Sequence, residues 1–139
     1  MNRGFILLAL AGCATSTLFA QNAGSLNTPG LSNAPSNAGM AAGDASRGKT
    51  LYQACEACHS IDENDIGPMH RGVVGRRAGS VSGYVYSAAL KSSGITWDEA
   101  QLDRWLSNPS NLVPGTKMFF KIDDRQMRAD IIAFLKEQK

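Results

Sequence analysis

Apolar residues fall in short helical stripes separated by long stretches punctuated with glycine and proline. Gly48, Leu51, Tyr52 and Cys55 recur at i, i+3, i+4 and i+7 behind Asp44, an N-cap residue, which predicts a helix of about three turns through Ala54. Leu102, Trp105 and Leu106 form a second stripe behind Thr96-Trp97-Asp98-Glu99, which has the form of a capping box, and Pro109 stops it. Met127, Ile131, Phe134 and Leu135 form a third, capped by Asp123 or Asp124. Ser87 to Ser93 predicts a short helix ended by Gly94, whereas Gly67 to Arg77, Ser80 to Tyr86 and Leu112 to Met118 read as loop or short extended chain. A glycine inside a helix costs about 1 kcal/mol relative to alanine, so Gly48 predicts a second helix crossing very close, and the last helix is the natural candidate. The fold class is all-α, with about four or five short helices in one small domain.

The first 42 residues are of another kind. Gly4 to Cys13 is the longest apolar run, about half of what a bilayer crossing needs, and it follows a short basic start at Asn2-Arg3. Residues 1–20 therefore read as an export signal with two competing fates. Cleavage after Ala20 would free a soluble chain, although Leu18 is large for its place, and Leu10-Ala11-Gly12-Cys13 resembles a bacterial lipobox in which Cys13 carries lipid. Residues 21–42 hold Asn, Ser, Gly, Ala and Pro without a charge, the composition of a flexible linker, and the domain spans residues 43–139. The 139-residue chain has a formal net charge of +2, and nothing in it suggests nucleic acid as a partner.

The chemistry is concentrated in Cys55-Glu56-Ala57-Cys58-His59. Two thiols about one helical turn apart can form thioethers with the two vinyl groups of one porphyrin, and the histidine then falls beneath the iron. A zinc site would need a second Cys/His pair, for which only His70 and Cys13 remain, and a thioredoxin-like dithiol would follow an apolar β-rich run that is missing before Cys55. A sixth ligand closes haem iron to small molecules, and a thioether favours the ferrous state. Among Met40, Met69, Met118 and Met127, the first lies in the linker, the second close to His59, and the last on a helix stripe where a core role is expected. Met118, on a loop stiffened by Pro114 and Gly115, is the candidate.

From Gly43 onward the sequence resembles a class I cytochrome c of the mitochondrial and α-proteobacterial kind. The resemblance is carried by Gly43-Asp44 leading into Gly48, the Cys55–His59 motif, Gly67-Pro68, Gly72-Val73-Val74-Gly75-Arg76, Gly83-Tyr84-Val85-Tyr86-Ser87, Gly94-Ile95-Thr96-Trp97, and Asn108-Pro109 through Pro114-Gly115-Thr116-Lys117-Met118. It implies that Cys55 and Cys58 hold one haem c and that His59 and Met118 ligate its iron. It also implies that the Pro68 carbonyl meets the far nitrogen of His59, that Arg76, Tyr86 and Trp97 contact the propionates, and that Thr116 braces the methionine loop. Gly48 and Tyr52 would cross Ile131 and Phe134. Three positions depart from the pattern: His70 stands where leucine is frequent, Leu90 where asparagine is frequent, and Trp105 replaces a tyrosine beside the axial methionine.

The function expected is one-electron transfer, without bond-making on a substrate, in an exported respiratory chain. The resemblance alone implies its partners, a quinol-oxidising complex and a terminal oxidase or dehydrogenase. The chain would be periplasmic and monomeric, with a membrane contact only through lipid on Cys13. The alternatives are a peroxidase or small-ligand binder with a labile Met118, and a tethered subunit of a membrane redox complex. Residues 43–139 carry a net charge near zero, and only Lys91, Lys117, Lys121, Arg76 and Arg77 hint at a basic face, so long-range steering should be weak.

Overall fold

The computed structural model describes residues 42–139; the export signal, Cys13, Met40 and the linker up to residue 41 lie outside the described residues. Asp44 starts helix α1 (Ala45–Tyr52), its side chain accepting from the Arg47 N–H at 3.0 Å. The helix ends two residues before the expected Ala54. There the backbone tightens to three-residue turns, with the Cys55 N–H donating to the Tyr52 carbonyl at 2.7 Å.

Helix α2 (Ala88–Ser92) is capped by Ser87, and Gly94 leaves it at φ +70°, a left-handed conformation that suits glycine. Helix α3 (Glu99–Ser107) starts on Asp98, whose carboxylate accepts from the Gln101 N–H at 2.7 Å, and not on Thr96 as the capping box suggested. The reason is tertiary. Arg77 and Thr96 form an isolated antiparallel bridge, and the Trp97 N–H donates to the Arg76 carbonyl at 2.9 Å, so the chain is extended through residue 97. Asn108 ends α3 and caps α4 (Pro109–Leu112), so Pro109 both stops one helix and opens the next.

Helix α5 (Arg125–Glu137), capped by Asp124, packs on α1 and on α3. The crossing with α1 is as close as a glycine permits: a Cβ on Gly48 would lie 2.0 Å from the Asp130 carbonyl oxygen. Tyr52 is 1 % exposed, and its ring centroid is 5.1 Å from that of Phe134. The Asp130 carboxylate accepts from the Asp44 N–H at 2.8 Å and from Arg47 Nε at 2.9 Å. Met127 corrects the expected stripe. It is 38 % exposed, whereas Ile131, Ile132, Phe134 and Leu135 are buried, because α5 packs on both α1 and α3 and so buries a face that includes Ala129 and Ile132 and leaves Met127 at its edge.

Candidate haem site

The two thiols sit on the turn that follows α1, where the Cys58 and His59 N–H groups both donate to the Cys55 carbonyl, at 3.0 and 2.9 Å. Cys55 is half-buried and Cys58 exposed, and they are not joined to each other. Burial, with Glu56 and Cys58 adding to it, pushes the Cys55 thiol up to about 11. His59 Nδ1 lies 2.8 Å from the Pro68 carbonyl oxygen. A carbonyl only accepts, so Nδ1 carries the proton and the Nε2 lone pair is free, the form a metal ligand requires. Burial lowers the His59 pKa, opposed by the Pro68 bond and by Asp65. Gly67 is required here, since a Cβ on it would lie 2.2 Å from His59 Cε1. His70 stacks on His59 with centroids 4.1 Å apart and planes at 21°, and its Nδ1 is 3.0 Å from the Tyr52 hydroxyl. Burial, with His59 and Arg76 nearby, brings its pKa down to about 3, so it is a neutral ring.

Met118 is presented by different means. The Trp105 indole Nε1–H donates to its sulfur at 3.2 Å, and its own N–H donates to Thr116 Oγ1 at 3.3 Å. Thr116 is buried, and Gly115 at φ +88° turns the loop ahead of it. Trp97 is buried with its ring 5.1 Å from that of Trp105. Tyr86 is half-buried, its ring 4.7 Å from that of Tyr84. The Arg76 guanidinium donates to the Met69 and Arg71 carbonyls at 2.7 and 2.8 Å, bracing the loop after Pro68, and burial lowers its pKa.

All nine residues singled out in the sequence line one cleft of about 880 Å³: Cys55, Cys58, His59, Pro68, Arg76, Tyr86, Trp97, Thr116 and Met118. Leu90, Leu102, Leu106, Ile131 and Leu135 complete its wall. Sequence reasoning took Ile131 and Leu135 for simple core on the stripe of the last helix, because the same amphipathic spacing serves a core and a cofactor pocket alike. The cleft suits a porphyrin. Its walls are apolar, its donors are two thiols, an imidazole nitrogen and a thioether sulfur, and no cluster of three or more His, Cys, Asp or Glu side chains fit for a zinc ion occurs among the described residues.

The comparisons agree with this chemistry. The family model for cytochrome c matches residues 45–139. Cytochrome c2 of Rhodomicrobium vannielii is 48 % identical over 102 residues, covering 70 % of this chain and 82 % of that protein. Cytochrome c2 of Blastochloris viridis is 41 % identical over 108 residues, covering 75 % and 85 %. Among solved structures, cytochrome cH from Methylobacterium extorquens superposes with a TM-score of 0.66 at 50 % identity, over 68 % of this chain and 98 % of that one. Ferricytochrome c2 from Rhodopseudomonas palustris gives a TM-score of 0.67 at 33 % identity, over 69 % and 99 %. With thiols, imidazole and thioether gathered on one apolar cleft in a helical domain that these relatives share, the chain belongs to the cytochrome c family, single-haem electron carriers with covalently attached haem c.

Proposed function

We propose that this protein is an exported one-electron carrier of a respiratory chain, working in the periplasm between a quinol-oxidising complex and a terminal oxidase or dehydrogenase. The observation that carries the site assignment is that His59 and Met118, 59 residues apart, line the same cleft as Cys55 and Cys58. In this reading the two thiols attach the haem, and His59 Nε2 and the Met118 sulfur fill the axial positions. Haem c supplies an iron centre that accepts and returns one electron.

The protein's part is to hold that centre still and dry. The Pro68 carbonyl keeps the His59 proton on Nδ1 and so keeps Nε2 a ligand, while the Trp105 N–H and the Thr116 hydroxyl keep the sulfur in place. Arg76, Tyr86 and Trp97 bring polar groups to the cleft, where propionates would otherwise be buried without partners. Ile66, Val85 and Phe119 are exposed apolar residues on the same cleft, a surface for brief contact with a redox partner. The near-zero net charge of the domain favours such short-range contact over long-range steering.

The test is the near-infrared absorption band that reports sulfur on ferric haem, compared in wild type and Met118→Ala. A band in the wild type that the variant loses supports the closed carrier. A wild type without the band leaves the sixth position open or bound by another group, and the protein is then a ligand binder or peroxidase.

A further inference from the structure

His70 lines the cleft, and none of the roles above uses it. Its backbone is tied to the segment just after the haem motif, its N–H donating to the Ser60 carbonyl at 3.0 Å. Its side chain is held by the last residue of α1. Tyr52, buried in the α1–α5 crossing, puts its hydroxyl 3.0 Å from His70 Nδ1. A buried phenol needs an acceptor for its proton, and an imidazole nitrogen supplies one, which leaves the proton of His70 on Nε2.

A leucine could fill the same volume but could neither accept that proton nor present a planar face. The planar face matters because of what it lies against. The Pro68 carbonyl holds His59 at one atom, Nδ1, and the Gly67 backbone bounds the ring on one side, which leaves it free to roll away from that side. A second ring at 4.1 Å and 21° restrains the roll.

We propose that His70, anchored by Tyr52, is a positioning residue that fixes the plane of the His59 imidazole and helps to set the reduction potential of the haem. This rests on the reading of His59 as an iron ligand. A dipolar ring beside the ligand solvates the more highly charged ferric state better than an alkyl group does, so replacing it by leucine should raise the potential.

The experiment uses the ferric holoprotein with His70→Leu, Tyr52→Phe and the double variant. It reads the pattern of hyperfine-shifted haem methyl resonances, which follows the plane of the axial imidazole, and the reduction potential. His70→Leu should change the methyl pattern and raise the potential, Tyr52→Phe should shift both in the same direction by less, and the double variant should match His70→Leu alone, because Tyr52 acts through His70. Variants with wild-type helicity and an intact sulfur band, but an unchanged methyl pattern and potential, overturn the proposal and leave the carrier reading standing. Should His70→Leu fail to fold, an unchanged pattern in Tyr52→Phe overturns it equally. A wild-type holoprotein without resonances from a bound imidazole overturns this proposal together with the ligand assignment.

Discussion

His59 and Met118 line the same cleft, but the chain holds them by different means. The Pro68 carbonyl, the Gly67 backbone and the His70 ring, which hold the His59 ring, all come from a short span after the Cys55–His59 motif. Met118 depends on an indole from α3 and on a hydroxyl in its own loop, and the next two residues, Phe119 and Phe120, are 75 % and 50 % exposed. The difference teaches that the His59 imidazole is placed by local chain geometry, whereas the Met118 thioether is placed by tertiary docking. The sulfur side is therefore the one that gives way first when the domain is perturbed.

The harshest way to break this comparison is to remove what both sides share. Cys55→Ala with Cys58→Ala should yield a largely unfolded, colourless protein, because a domain of roughly a hundred residues with its core opened by a cleft buries too little apolar surface alone. Recovery of a compact helical apoprotein by circular dichroism would refute this. On the His59 side, Gly67→Ala forces a Cβ to 2.2 Å from the ring, so the loop backbone must shift. The expected loss is about 3 kcal/mol in denaturant melts of the holoprotein, and a loss under about 1 kcal/mol would show that this side is not the stiff one.

On the Met118 side, Trp105→Phe keeps an aromatic wall and deletes the N–H that meets the sulfur. The loss of about 1 kcal/mol of hydrogen bonding should make added imidazole displace the sulfur about fivefold more readily, with little change in folding stability. Thr116→Val deletes a longer contact and should change the same titration only about twofold. An unaltered titration in both variants would place control of the sulfur elsewhere.

Asp130→Asn is the smallest perturbation of the cleft and belongs to neither side. The Arg47 side chain holds the Asp130 carboxyl below the usual carboxylate range, helped by the Asp44 N–H and Gln126. A carboxyl with a depressed folded-state pKa stabilises the fold at pH above its unfolded value of about 4 and loses that contribution as the pH falls below it. The variant should flatten the acid limb of stability against pH while leaving the haem spectrum unchanged.

Much of the molecule was legible because its signals are local. Asp44 and Asp124 cap the helices they precede, and Gly48 announced its crossing because nothing larger would fit. The Cys55–His59 turn and the Met118 loop stood out by spacing and by proline and glycine, and both line the one cleft. What escaped is tertiary. Thr96 lost its capping role to a bridge with Arg77, and packing on both α1 and α3 left Met127 at the edge of the buried face of α5. The link from Tyr52 to His70 joins residues 18 apart by geometry that no periodicity encodes.

The α1–α5 crossing also constrains the order of events during synthesis. Its bond from the Asp44 N–H to the Asp130 carboxylate spans 86 positions, a closure that must await nearly the whole domain. A chain delivered from its N-terminus cannot complete it until Asp130 has emerged. Until then the turn bearing Cys55 and Cys58 lacks its final lock, so Cys55, half-buried in the finished fold, is open to chemistry that the closed domain restricts.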